Sequence, residues 1–184
     1  VPSPVLSDLE KKGGVVTHKP RPVDGANGTD ADIKIEFKPL PGPIPIPIPI
    51  PVFVEATAGS SGKDGDSFTV SSGSGHSATG SNIFLAGSIG GAGGNGGSAG
   101  RGMKGNAAAG GDGGTGGNVG VGSIGDLTVQ NGSGIVAFST GGQGGKGGDG
   151  TAVTGTIKSG AGGNGGNAGQ VNVTNSGQIA VTGD

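Results

Sequence analysis

The side chains able to do chemistry are few. His18 and His76 are the only imidazoles, and cysteine is absent. Disulfides and thiolate metal sites are therefore excluded. Neither histidine has a metal-spaced partner, and no strand–turn–helix nucleophile elbow surrounds a serine, so both histidines read as solvated and the chain as no enzyme. GGKGGDGTA at 144–152 matches most of the calcium-binding pattern G-G-x-G-x-D-x-U-x, with Thr151 where a large aliphatic residue belongs. SGKDGDSFT at 61–69 has Phe68 in that place but lacks two of the glycines. A calcium roll needs stacked copies, so a plain Gly-Gly-X reading is preferred to calcium near Asp149, and no other cofactor is expected.

The sharpest local signal is an alternation of proline and isoleucine. Pro43, Pro45, Pro47, Pro49 and Pro51 take the odd positions, and Ile44, Ile46, Ile48 and Ile50 the even ones. In an extended strand alternate N–H groups point to opposite edges. The prolines strip donors from one edge, and the isoleucine amides remain on the other, so the strand pairs on one side only. The rival reading is a stiff polyproline-like spacer. Four isoleucines on one face favour docking, and the expected acceptor is the open edge of a strand at 178–182 in a neighbouring copy.

Something must hold these residues in place, and it is not an ordinary core. Of 184 residues 48 are glycine, only 30% are hydrophobic and 3% aromatic. Glycine loses the most backbone freedom on folding, so an ordered chain must recover that cost through backbone hydrogen bonds between segments; the alternative is disorder. A net charge of −2 and the scarcity of aromatic rings exclude a nucleic-acid partner, and no apolar run is long enough to span a membrane. The sequence begins at Val1 and its one methionine is Met103, which fits secretion after removal of a signal peptide.

The glycines are periodic. From 87 to 120 every third residue is glycine except Ala99 and Ala108, and 141–150 and 160–169 keep the same period. Three residues per turn is the period of the left-handed extended helix, whose rise of about 3.1 Å per residue makes each run roughly 30 Å long. Rods are expected at 87–97, 110–120, 141–150 and 160–169. Gly87, Gly90, Gly93, Gly96, Gly111, Gly114, Gly117, Gly141, Gly144, Gly147, Gly160, Gly163 and Gly166 would form the rod core. The third positions, Gln143, Lys146, Asp149, Asn164, Asn167 and Gln170, would face outward. N–H···O=C bonds between neighbouring rods would satisfy the backbone.

Strand signals lie between the rods. Residues 32–38 alternate polar and apolar as a half-buried strand does, 14–17 read as a shorter strand, and 24–28 as a turn. Residues 123–140 read as two strands about Asn131-Gly132, and 169–184 have the same shape. A spacing of 44 aligns Gly125 with Gly169, Val129 with Val173 and Asn131 with Asn175. A fainter copy lies at 66–70 and 83–85. Repeats of this length imply a stacked array. The expected fold is all-β and extended: short strands stacked in the manner of a β-solenoid, a bundle of polyglycine-II-type rods, and no α-helix of note. Residues 1–54 form an N-terminal strand and Pro-Ile assembly segment, and 55–184 a glycine-rich repeat body.

VNVTNSGQIAVTGD at 171–184, preceded by GGNGGNAGQ, and GDLTVQNGSGIVAFSTGG at 125–142 resemble the passenger repeats of bacterial autotransporter and filamentous-haemagglutinin-type adhesins. The resemblance covers about the last 100 residues. It implies a secreted or surface protein of repetitive parallel β coils, although the Gly-Gly-X runs are longer than a β-helix needs. A lesser resemblance is to glycine-rich antifreeze proteins built from threefold rods. The expected function is an extracellular structural subunit of a self-assembling filament or matrix, whose partners are copies of itself exchanging strands. The rivals are an adhesin fragment binding a surface receptor or polysaccharide, and an ice-binding protein. Asn, Gln, Lys and Asp at the third positions disfavour the flat Thr or Ala array that ice needs.

Overall fold

The computed structural model describes residues 10–12, 15–18, 22–39, 47–80, 82–100, 106–151 and 156–183. These residues are all-β, with twelve strands and no helix. In chain order the strands are β1 (Glu10–Lys12), β2 (Val15–His18), β3 (Asp32–Pro39), β4 (Pro47–Val54), β5 (Phe68–Ser72), β6 (His76–Thr79), β7 (Phe84–Ile89), β8 (Val119–Ser123), β9 (Leu127–Gln130), β10 (Ile135–Thr140), β11 (Val171–Asn175) and β12 (Ile179–Thr182).

They form three stacked sheets and one separate hairpin. The sheet orders are β1-β2-β7-β10, β5-β8-β11 and β6-β9-β12, with β3-β4 apart. Only β1–β2 and β3–β4 pair antiparallel; every other ladder is parallel. Parallel neighbours need a long crossover, and here the glycine-rich stretches supply it. The chain runs through the strand path β5, β6, β7, leaves along glycine, returns, and repeats as β8, β9, β10. Phe68, Val119 and Val171 share one row, and His76, Leu127 and Ile179 another.

From the pass of β5–β7 onward the step is 51 residues, then 52, as the recurring contacts between equivalent positions show, after a first step of 68 from β2 to β7. This corrects the spacing of 44. Val129 pairs with Val181, not with Val173. The shorter spacing aligned the β9 unit with the β11 unit, one strand and one corner out of register, because both end in a short apolar alternation followed by asparagine. Asn131-Gly132 likewise closes no hairpin. It is the corner between β9 and β10, which belong to different sheets, with Asn131 in the left-handed region at φ 54°. Asparagine tolerates that region better than most residues.

Alternation along each strand builds the core. In β5, Phe68 and Val70 point inward while Thr69 and Ser71 are exposed; β9 buries Leu127 and Val129. With Ile83, Phe84, Ala86, Val119 and Val121 they fill the space where the three sheets meet. Each large aliphatic or aromatic side chain buried there contributes roughly 1.5–3 kcal/mol. The second apolar cluster is small: Ala31, Ala99 and Ala107, flanked by Ala56 and Ile157, at the far ends of the glycine segments.

Candidate functional site

The glycine segments form two columns. One holds residues 57–67, 107–118 and 158–170; the other holds 22–31, 90–99 and 141–150. Same-column segments run parallel: Gly90, Gly93 and Gly96 donate to the carbonyls of Thr140, Gln143 and Lys146 at 2.9, 2.8 and 2.8 Å. Opposite columns run antiparallel: Gly91, Gly94 and Gly97 donate to Lys63, Ser60 and Thr57 at 2.8, 2.8 and 3.0 Å. The columns interleave, so one line of bonds passes Gly163→Gly145→Gly111→Gly94→Ser60→Ala26 through all six segments, each link 2.8–2.9 Å. Two similar lines flank it. Each bond adds about 0.5–1.5 kcal/mol net, and chained bonds polarise one another.

In many triplets the third amide goes to a side chain. Ala92, Asn95 and Ser98 donate to Oδ1 of Asp24, Asn27 and Asp30, 68 residues away, at 2.8, 2.9 and 2.7 Å. Lys146 donates to Asn95 Oδ1, Asn164 to Asp112 Oδ1 and Gln170 to Asn118 Oδ1, at 2.9, 2.7 and 2.8 Å. Third positions are exposed, as expected, but many carry an oxygen that caps the next pass. Asp64 accepts the Thr115 amide at 2.7 Å. That bond, and then one from the Thr115 side chain, hold its carboxyl below the ordinary value of 3.8.

This geometry explains the two glycines per triplet. A Cβ on Gly144 would land on the Gly163 carbonyl, one on Gly93 on the Gly111 carbonyl, and one on Gly163 on the Gly111 carbonyl. Gly90, Gly96, Gly111, Gly114, Gly117, Gly141, Gly147, Gly160 and Gly166 meet backbone carbonyls in the same way. Gly87 is the exception: it lies in strand β7, and a Cβ there would strike the Phe138 ring. The expected runs 87–97 and 110–120 therefore overreach into β7 and β8. Two segments were missed. Residues 22–31, of which 24–28 read as a turn, and 57–67 are full column members, bonded through Gly25, Gly28, Gly59, Gly62 and Gly65. Their period of three was present in the sequence, but with single rather than paired glycines.

The Pro-Ile run is seen in part. Pro43, Ile44, Pro45 and Ile46 lie outside the described residues, and Pro47, Ile48, Pro49, Ile50 and Pro51 open β4. β4 pairs with β3 of the same chain, from Asp32↔Val54 to Pro39↔Pro47. Proline has no N–H, so bonds from β4 to β3 come from the even positions, and Pro49 and Pro51 turn to the outer edge. The one-edged strand is real, but its usable edge is filled within the chain. Opposed residues share a face. Ile50 thus lies beside Glu36, while Pro49 and Pro51 lie beside Phe37 and Ile35. Residues 32–38, expected half-buried, are exposed.

His76 is half-buried rather than solvated: its ring stands edge-on to Phe84 with centroids 5.7 Å apart, and Nε2 lies 2.6 Å from Ser72 Oγ. That hydroxyl also receives the Ser74 amide at 3.4 Å, so the contact closes the β5–β6 corner. The side chain of His18 lies outside the described residues. The Asp149 amide meets Ser98 Oγ at 3.3 Å, and no trio of His, Asp or Glu gathers among the described residues. On the outer face of β5-β8-β11, Gly120 and Gly122 floor a polar trench between Thr69 and Ser71 on one side and Asn172 and Thr174 on the other, about 360 Å³ at the Gly120 end and 430 Å³ at the end toward Ile124. No helix among the described residues is long and apolar enough to cross a membrane.

No family model matches the chain, and no curated protein matches it. Among solved structures it is similar to an antifreeze protein of the springtail Granisotoma rainieri, a nine polyproline type II helical bundle, at 21% identity over 81% of this chain and 94% of that one. The TM-score is 0.12, too low to bear on fold or function.

Proposed function

We propose that this chain is a non-enzymatic extracellular structural protein, the repeating body of a filament, matrix or stalk that assembles with copies of itself. In this reading its body is a β-solenoid whose turns are closed by polyglycine-II-type rods. The observation that carries it is the regular step of the later passes: after a first step of 68 residues, sheets and glycine columns advance together by 51 or 52 residues. Such an array has no natural last member. β11 and β12 are edge strands, and a Cβ on Gly162 or Gly165 would make only an ordinary contact, at 3.5 or 3.8 Å, where one on Gly110 or Gly113 of the previous pass would collide with a carbonyl. An uncovered edge of this kind is a template for a further layer. Negative-stain electron microscopy of the purified chain tests the reading. Elongated, laterally uniform particles or filaments are expected; compact single particles at every concentration would rule it out.

A second reading, an adhesive module holding a surface polysaccharide, is favoured by the polar trench over Gly120 and Gly122. Its test is a glycan-binding screen repeated with Gly120→Phe, which fills the trench; unchanged binding would exclude that site.

A further inference from the structure

The hairpin arm leaves an apolar face in water. Ile35 and Phe37 are 63% and 67% exposed, with Ile33 and Phe53 beside them. The arm is a two-stranded sheet, and no described strand pairs with the outer edge of β3. We propose that this edge pairs antiparallel with β3 of a second copy, about a twofold axis through Ile35, giving a four-stranded sheet β4-β3-β3-β4.

Three observations carry this. The first is the direction of the amides. Because β4 can donate only from its even positions, the even positions of β3 face β4, and Ile33, Ile35 and Phe37 present their N–H and C=O groups outward. The Ile33 amide is donated to Asp32 Oδ1 at 2.8 Å and not to β4, in keeping with that direction, and pairing would exchange this local acceptor for a carbonyl of the second copy.

The second is charge. Asp32, Lys34, Glu36 and Lys38 alternate in sign on the opposite face. Centring the twofold on Ile35 sets Lys34 against Glu36 of the second copy and Asp32 against its Lys38, all opposite charges in the closely spaced, non-hydrogen-bonded pairs. A slip by one pair either way centres the axis on Glu36 or on Lys34. Each slip sets like charges opposite each other throughout: Glu36 against Glu36 and Lys34 against Lys38, or Lys34 against Lys34 and Asp32 against Glu36. One register is selected and its neighbours are rejected. Ile33 then faces Phe37, and Ile35 faces its own symmetry mate, so the exposed apolar residues fall side by side.

The third is closure. The outer edges of the new sheet would be the two β4 strands, whose outward positions include Pro49 and Pro51. These prolines offer no donors, which leaves Phe53 as the one outward N–H of β4, too few to pair a further strand, so the sheet stops at four strands and the association is a closed dimer. This pairing does not rest on the stalk reading, since the body can stack or not whatever the arms do.

Sedimentation equilibrium of the full chain tests it. A monomer–dimer equilibrium is expected. Lys34→Glu alone and Glu36→Lys alone should each weaken the dimer on the order of tenfold, because each reversal spoils two symmetric pairs. The combined Lys34→Glu and Glu36→Lys variant should restore it. A dimer indifferent to the single reversals, failure of the combined variant to restore it, or a monomer throughout would each overturn the proposal. Crosslinking gives an independent readout, because the native chain has no cysteine. Ile35→Cys should oxidise to a covalent dimer, its Cα atoms falling about 5.5 Å apart across the axis. Ile50→Cys should not; the reverse result would overturn the register.

Discussion

The three sheets and the two glycine columns solve the same problem by opposite means. The sheets bury Phe84, Ile83, Leu127 and their neighbours, and removal of apolar surface from water holds them together. The columns bury almost no side chain. Each triplet of the segment 90–99 instead satisfies its three amides on three different neighbours. A hydrophobic core tolerates substitutions that keep its volume roughly constant. A lattice of backbones in contact has no rotamer to adjust and nowhere to put a methyl group. Order without a core thus costs the chain most of its freedom to vary at the glycines.

Several measurements would break or sharpen this contrast. The largest effect is expected at Gly144→Val, where the added carbons meet the Gly163 backbone. A loss of more than about 3 kcal/mol is expected, read as a collapse of the unfolding transition. Gly162→Ala is the matched control. Its Cβ would stand 3.5 Å from the Gly145 oxygen, an ordinary contact, so stability should be unchanged or raised by about 0.5 kcal/mol. Equal losses at both sites would show that close backbone contact is not what restricts glycine. Next comes Leu127→Ala in the sheet core. It should cost about 2–5 kcal/mol by denaturant titration, and Leu127→Met much less. No graded series of that kind is expected at Gly144.

A smaller effect is expected at Asp64. Its carboxyl is held below its ordinary value, so the ionised form stabilises the fold. That stabilisation is fully present above 3.8, and it is lost as pH falls through the lower folded-state value. Asp64→Asn keeps an acceptor for the Thr115 amide and removes the titration. The variant's denaturation midpoint should lie slightly below the native one at neutral pH and the two should converge in acid, because Asn mimics the protonated carboxyl; identical acid slopes would count against the bond. Smallest of all is Lys146→Val. The side chain is exposed, and the residue bonds through its backbone: the amide donates to Asn95 Oδ1 and the carbonyl accepts from Gly96. A change within about 0.5 kcal/mol is expected.

Much of the architecture was legible in residues whose identity is forced by local geometry. Glycine at every third position announces a segment that meets a neighbour's backbone every third residue, because nothing else fits there. The alternation at Phe68 to Ser72 and Leu127 to Gln130 announces strands with one dry face. The partners were harder to read. Val129 could be aligned with Val173 or with Val181, since short strands ending in asparagine look alike and only the return path through the glycine columns fixes the register. The segment around Gly25 and Gly28 was hidden because its third positions, Asp24, Asn27 and Asp30, are also the commonest turn residues. The Pro-Ile strand declared which edge it could use, but not that β3 would occupy it.

The interleaving of the columns also governs how the protein can be made. Each new glycine segment lies in a groove formed by two earlier ones, as Gly163 does against Gly145 and Gly111. The template for a segment is complete before the segment emerges from the ribosome. After the first step of 68 residues the loop to be closed is 51 or 52 residues long, so its entropy stays nearly constant as passes are added instead of growing with chain length. Folding can therefore advance at the pace of synthesis, one half-pass at a time, and a longer array should fold no more slowly per pass than a short one.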